Sequence, residues 1–476
     1  MNPIKHWADA EFSRIDLGDK RLNERFRRVA RRFYEAPQHS PAAACQGWAE
    51  TMGAYRLFDN EGVTPEKIFA AHQQAILERI KEYGGPCILN IQDTTELNYS
   101  THKSLQGVGD LGDLGRKGFW AHSQYVVDDQ GVPLGVWNSS FRIPPPPEGA
   151  EAKAKEKKNS TQRRNTPIEE KKTFCWLEGY RLSCQLAEAN PGMKVISVAD
   201  REGDIIEVPA ERQQRLAAGQ PAADWLIRCQ HTDRILEAEE LNLQERVQSS
   251  PVLGIVSFEL TAQPENKKEK RPKRQARTVV QELRAGTVEL KPPRGKESLG
   301  PVTVSVVFAQ EIHTPEGQTP ICWLLLTSLE ATTLDQAIRV IDYYLLRWEI
   351  EVFHKILKSG CTVEKLQFET PDRLLPCLCL YMIIAWRIHY LTKLGRSGPE
   401  LPCSVVFDEA EWKPVLRILK GPGAEKTEPT LGEFIILVAQ LGGHLNRNSD
   451  GPAGPQTIWR GLSRVRDWAI CWRAFG

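Results

Sequence analysis

The chain has no CxxC pair. Its eleven cysteines are scattered, with Cys377-Leu378-Cys379 the closest spacing, which does not suit a structural zinc site. They read as reduced thiols, several of them buried. Net charge is nearly absent: 62 basic against 61 acidic side chains leave +1 at pH 7, so the average does not advertise nucleic acid. No run approaches the roughly 18 apolar residues of a membrane helix. The charged opening MNPIKHWADAEFSRIDLGDKR lacks the apolar core of a signal peptide. The expectation is a chain with no membrane partner that stays where it is made. There is also no internal repeat. What remains, 476 residues at 41 % hydrophobic and 26 % charged, is ordinary globular composition with room for two to four domains.

The even average hides basic blocks. Lys153 to Lys172 carries eight basic residues against three acids, Lys267 to Arg277 seven against one, and Arg14 to Glu35 eight against four. Such blocks can line a phosphate backbone; they can equally be solvated loops.

Residues from about Asp9 to Leu77 read as helical. In DKRLNERFRRVARRFYEA, Leu22, Phe26, Val29, Ala30 and Phe33 recur at helical spacing and leave Arg21, Arg25, Arg28 and Arg32 on another face. Pro37 ends that helix. A second helix is expected over Ala43 to Phe58, and a third after Thr64-Pro65-Glu66, where threonine caps and proline takes the first turn. CILNIQDTTELNYS reads as a strand carrying Asp93, SQYVV and PLGVWNSSF as a hairpin around DDQG. Phe174 to Glu188 is a helix. MKVISVAD is a short apolar strand delivering Asp200 to its end. Ile205 to Leu216 is a helix, and DWLIRCQ a buried strand. From His231 to about Pro320, short β-like segments separated by Pro/Gly turns suggest a β insertion. ICWLLLTSL is a further strand, and Thr333 to Lys358 is expected as one long helix carrying Glu351. LLPCLCLYMIIAWRIHYL is apolar nearly all round, which suggests a helix buried on most sides or at a subunit interface.

Two aspartates at strand ends and a glutamate on a later helix form an acidic constellation of the kind open α/β sheets use for ligands. Hydrolysing a phosphodiester needs a strong nucleophile and neutralised charge on the leaving oxygen, and two Mg²⁺ ions roughly 3.5–4 Å apart supply both. Asp93, Asp200 and Glu351 are candidates to hold them, since Mg²⁺ prefers carboxylate oxygens. Asp93 and Asp200 can equally be cap or turn residues, and Glu351 a surface partner of Arg347. Along one continuous helix, Tyr344, Arg347, Glu351 and Lys358 would fall within an arc of roughly 60°, joining a carboxylate to two cations and a phenol.

IQDTTELNY, VADREGDI, WLLLTS, GAYRLF and the spacing Tyr-x2-Arg-x3-Glu-x6-Lys in YLLRWEIEVFHKILK resemble bacterial insertion-sequence DDE transposases. The closest group is the YREK-signature family that includes the enzyme of transposon Tn-five. The resemblance implies an α/β fold with an RNase H-like catalytic core over 73–370 and a β-rich insertion at 231–320. It implies a helical DNA-binding domain over 1–72 and a helical dimerisation domain over 371–476. It implies a cut-and-paste transposase that binds transposon ends and nicks DNA with two Mg²⁺ ions, which Mn²⁺ can replace. A hairpin forms on the opposite strand, is reopened, and the 3′ ends are joined to target DNA within a homodimer. Such an enzyme would be cytoplasmic in a bacterium and nucleoid-associated when bound. The alternative is a catalytically silent DNA-binding protein on the same scaffold.

By resemblance, Asp93, Asp200 and Glu351 are the metal-binding catalytic triad, and Tyr344, Arg347 and Lys358 the remaining signature letters. Trp323 matches a tryptophan that stacks on a flipped base, which suits an unstacked nucleotide; it can also be core. Trp120 matches another active-site aromatic, with core packing as its alternative. Arg228, His354 and Lys355 match positions contacting the transposon end; Arg228 can be a strand-end charge and His354 a packing residue. Arg21, Arg25 and Arg28 are expected to contact DNA. The segment DKRLNERFRRVARRF and the last hundred residues depart most from the family pattern.

Overall fold

The computed structural model describes residues 6–45, 47–112, 115–146, 166–237, 239–263 and 274–475. Most of the Lys153–Lys172 and Lys267–Arg277 blocks lie outside them. The chain divides into two compact units: Met1–Ile88, Asp93–Lys155 and Trp348–Gly476 in the first, Leu89–Gln92 and Glu156–Arg347 in the second.

The first unit begins with helices α1 (Trp7–Glu11), α2 (Lys20–Glu35), α3 (Pro41–Ala44), α4 (Trp48–Phe58) and α5 (Pro65–Tyr83). Asp19 caps α2 by accepting the Arg21 N–H at 2.6 Å, and the helical spacing buries Phe26, Val29, Ala30 and Phe33. The single helix expected over Ala43–Phe58 is two: Cys45 turns extended and Gly47 precedes α4 at φ +95°, a left-handed conformation that costs glycine nothing. Thr64 and Pro65 open α5 as their chemistry dictates, with Thr64 Oγ1 accepting from the Lys67 N–H.

Strands β1 (Cys87–Asn98), β2 (Gly118–Asp128) and β3 (Pro133–Arg142) follow. In the first unit they lie in the order β3-β2-β1, with β2 and β3 antiparallel. Their connection is held by Asp128, whose carboxylate accepts the Gln130 and Val132 N–H groups.

The second unit takes the Leu89–Gln92 part of β1 and adds α6 (Phe174–Ala189), β4 (Lys194–Ala199), α7 (Glu207–Ala217), β5 (Asp224–Arg228), α8 (Leu243–Gln248), β6 (Gly254–Leu260), β7 (Arg277–Leu290), β8 (Val302–Ile312), β9 (Cys322–Thr327) and α9 (Leu334–Leu345). Its strand order is β1-β4-β5-β9-β8-β7-β6. β4 and β5 are parallel, and the pairs from β5 outward are antiparallel, so the fold is mixed α/β. The β-like segments expected between His231 and Pro320 continue this sheet, because β8 pairs with β9 from Ser305↔Thr327 to Gln310↔Cys322.

The chain then returns to the first unit through α10 (Trp348–Lys355), a π-helical turn over Ile356–Gly360, α11 (Pro371–Ser397), α12 (Glu409–Lys420), α13 (Leu431–Leu441) and α14 (Pro455–Phe475). The expected continuous helix from Thr333 to Lys358 is therefore corrected. α9 stops at Leu345, and the Arg347 N–H bonds to the Tyr344 carbonyl three residues back, so the i→i−4 ladder is interrupted. The 60° arc drawn through Tyr344, Arg347, Glu351 and Lys358 assumed 100° per residue throughout. That pitch does not hold at this turn or at the π turn carrying Lys358, whose bonds span five residues.

α11 corrects a second expectation. By length and composition it could cross a membrane, but 89 % of its most apolar window is buried within the protein. It is the central core helix of its unit: Trp386 donates to the Pro133 carbonyl at 3.0 Å and carries the Arg79 guanidinium over its ring.

Candidate metal centre and its basic surroundings

β1 is buried through Gln92 and opens at Asp93 and Thr94, which are half-buried. The strand thus leaves the core with a carboxylate at its first accessible position. α10 brings Glu351 and, three residues on, His354; that spacing puts both on one helix face. Ligand atoms of Asp93, Glu351 and His354 all lie within 4.8 Å of one another. Glu351 is half-buried and His354 buried.

Neighbouring groups fix this cluster. The Thr94 N–H donates to Asp93 Oδ1 at 2.8 Å. The Thr94 hydroxyl meets His122 Nδ1 at 2.7 Å, and burial depresses the His122 pKa to about 3, so the imidazole stays neutral. Beyond α10, Glu364 accepts the Asn98 N–H at 2.8 Å, and the Tyr99 hydroxyl donates to the Val363 carbonyl at 3.1 Å. The segment following the helix is thereby tied to the end of β1.

Two carboxylates and an imidazole within one ion's reach are a donor set that fits a divalent cation. The oxygens suit Mg²⁺, and the nitrogen extends the choice to Mn²⁺. The sequence assigned His354 to DNA; the structure sets it beside the two carboxylates. Glu351-x2-His354 on a helix was the available signal. His122 and Thr94 carried none.

The second unit gathers the other candidates. Asp200 follows β4 and caps the short turn Arg201–Gly203, accepting the Glu202 N–H at 2.8 Å, the role its DRE context allowed. Tyr344 is buried and packs edge-on against Trp323, ring centroids 5.8 Å apart. Burial raises the Tyr344 phenol pKa, opposed by the charges of Arg347 and Arg228 and a hydrogen bond with Arg228. Asp200 also acts on this phenol electrostatically. Tyr344, Arg228, Arg347 and Asp200 therefore share one neighbourhood, and Trp323, half-buried, borders it.

Three further candidates sit in the first unit. Trp120 is half-buried with the Arg142 guanidinium 4.1 Å over its ring. Lys355 is exposed, and Lys358 half-buried on the π turn. On α2, Arg21, Arg25 and Arg28 are all exposed. Arg25 and Arg28 line a hollow with Arg32 and Glu50, and Arg32 is paired to Glu50 at 3.1 Å.

Residues 4–63, which contain α2, match the family model for transposase DNA-binding. Residues 383–472, from within α11 to near the end of α14, match the model of the Tn5 transposase dimerisation domain. Both ends of the chain are thus similar to a Tn5-type transposase. A DNA-binding match at one end and a dimerisation match at the other support DNA and a second copy of the chain as partners. The Asp93–Glu351–His354 cluster, between the two matched segments, offers a place for a divalent ion.

Proposed function

We propose that this chain is a transposase that binds the ends of its own element, cleaves them by metal-assisted phosphodiester hydrolysis with a hairpin intermediate, and joins the 3′ ends to target DNA. The observation that carries this reading is the meeting of Asp93, Glu351 and His354 within 4.8 Å in a chain whose ends match transposase modules. The core between those modules is read as RNase H-like.

In this reading Asp93 and Glu351 hold divalent metal through oxygen, with His354 as a nitrogen donor. Asp200 is the third carboxylate by its match to the family signature. Mg²⁺ or Mn²⁺ held there would supply neutralisation of charge on the scissile phosphate and a lowered pKa for an attacking water. The chain's own groups then have defined tasks. Neutral His122 holds Thr94 and, through its backbone, the Asp93 carboxylate. Arg347, Lys358 and Lys355 grip phosphates of the cleaved end, Arg228 holds the Tyr344 hydroxyl, and Trp323 and Trp120 offer faces for an unstacked base. Arg21, Arg25 and Arg28 contact the backbone of end DNA.

The test is incubation of the full chain with Mg²⁺ and duplex DNA carrying the inverted repeats that flank its gene. Nicks, hairpins and joined products support the proposal. Binding without cleavage assigns the chain to a silent DNA-binding role, and cleavage without hairpin or joining to a plain nuclease.

A further inference from the structure

α10 is short. It has eight residues, a turn before it and a π turn that continues it to Gly360, so no long straight helix sets its orientation. Yet it carries Glu351 and His354. Something lateral must hold it, and the residues between those two positions and the helix start identify what does.

Glu349 points the opposite way from Glu351 and is buried. Its carboxylate is gripped by two groups one turn apart on α11. Lys393 Nζ lies 2.6 Å from Oε1, and His389 Nε2 lies 3.0 Å from Oε2, off the line of a straight hydrogen bond. His389 is fully buried, and its Nδ1 meets the Tyr125 hydroxyl at 2.8 Å. Burial, with Lys393 and Arg396 nearby, lowers the His389 pKa against the pull of Glu349, so the ring is neutral. The Tyr125 hydroxyl and His389 Nδ1 share one hydrogen bond, its direction set by the ring's tautomer. Tyr125 also stacks on Phe353, 4.7 Å between centroids, and Phe353 precedes His354. Tyr125 lies on β2, the neighbour of the strand bearing Asp93.

We infer that the buried chain Tyr125–His389–Glu349–Lys393 is the positioning device that sets the tilt of α10 and so aims Glu351 and His354 at Asp93. The inference rests on the proposed metal centre. None of the four residues touches the metal or the substrate; they act through the helix. Glu349 is the pivot, since it joins α10 to Lys393 and His389 of α11 and, through His389, to Tyr125 on β2. The Lys393–Glu349 and Tyr125–His389 hydrogen bonds hold the two ends of this chain and the 3.0 Å His389–Glu349 contact closes it, so loss of Glu349 or Lys393 loosens the helix.

Two measurements on the full chain separate this from general stabilisation: amide hydrogen exchange of residues 350–356 without metal, and Mn²⁺ affinity by calorimetry. Glu349→Ala and Lys393→Met are expected to raise exchange in α10 at least tenfold and to weaken Mn²⁺ binding at least tenfold. Glu349→Gln, which keeps an acceptor oxygen, recovers part of both. Lys393 is partly exposed, so its variant serves should Glu349→Ala fail to fold. In cleavage assays the half-saturating Mn²⁺ concentration rises while most of the rate returns at saturating metal. Unchanged Mn²⁺ affinity in a folded Glu349 or Lys393 variant overturns the inference, even if the melting temperature falls. Asp93→Ala and Glu351→Ala are run alongside: if these retain wild-type Mn²⁺ affinity, the metal-centre reading fails, and that failure is distinct from failure of the clamp.

Discussion

Asp93 sits where a buried strand first reaches solvent, and its partners come from a helix more than two hundred residues later. If these side chains form the metal centre, Asp93→Ala and Glu351→Ala lose Mn²⁺ binding in calorimetry while keeping their affinity for end DNA in gel-shift assays. His354 makes a finer distinction. Nitrogen ligands suit Mn²⁺ better than Mg²⁺, so His354→Ala is expected to weaken Mn²⁺ binding more than Mg²⁺ binding; an equal loss for both returns His354 to a packing role. A separate residue governs pH. Burial, reinforced by Asp408, pushes the Glu411 carboxyl up to about 7 from 4.5. Between those values the folded chain binds a proton that the unfolded chain does not, so stability falls as pH rises and the penalty is complete above about 7. Glu411 accepts the Asp408 N–H in a capping box, a bond that glutamine can also make. Glu411→Gln is therefore expected to be near neutral at acid pH and to stabilise by about 1–3 kcal/mol at pH 8 in urea unfolding.

At the scale of elements, much was legible. The capped start of α2, the Thr-Pro start of α5, the β2–β3 hairpin and strand β4 all follow from local chemistry that each segment carries by itself. The break after α9 was not legible, because YYLLRWEIE contains no glycine or proline at the turn. Nor was the grip on Glu349, whose partners are 40 and more residues away and carry no local pattern. For the candidate site, the sequence grouped Asp93, Asp200 and Glu351 as one carboxylate cage; the structure sets Asp93 and Glu351 beside His354, which the resemblance had assigned to DNA. Spacing alone does not say which way a helix faces, and that limit hid the packing of α13 on α14. A Cβ added to Gly461 would lie 1.8 Å from the Val438 carbonyl oxygen, and one on Gly442 equally close to that of Thr457. Gly461→Ala must push these helices apart and is expected to cost about 1–3 kcal/mol, as overpacking does, read as a lower urea midpoint. This pair lies within the segment matching the dimerisation model, so the dimer should weaken in analytical ultracentrifugation as well.

For the molecule as a whole, charge is placed locally although the sum is close to zero. Exposed Arg21, Arg25 and Arg28 line one helix inside the DNA-binding match. If they contact phosphate as proposed, DNA affinity falls steeply with salt, and each arginine replaced by alanine reduces the logarithmic slope by about one. An unchanged slope would remove α2 from the backbone contact. In the proposed reaction the carboxylates decide the chemistry. The most direct test is single-turnover cleavage of end DNA by Asp93→Asn, Asp200→Asn and Glu351→Gln at saturating Mg²⁺, with binding measured on the same preparations. Loss of cleavage in all three with wild-type end binding is the predicted result; any one of them cutting at the wild-type rate contradicts the account.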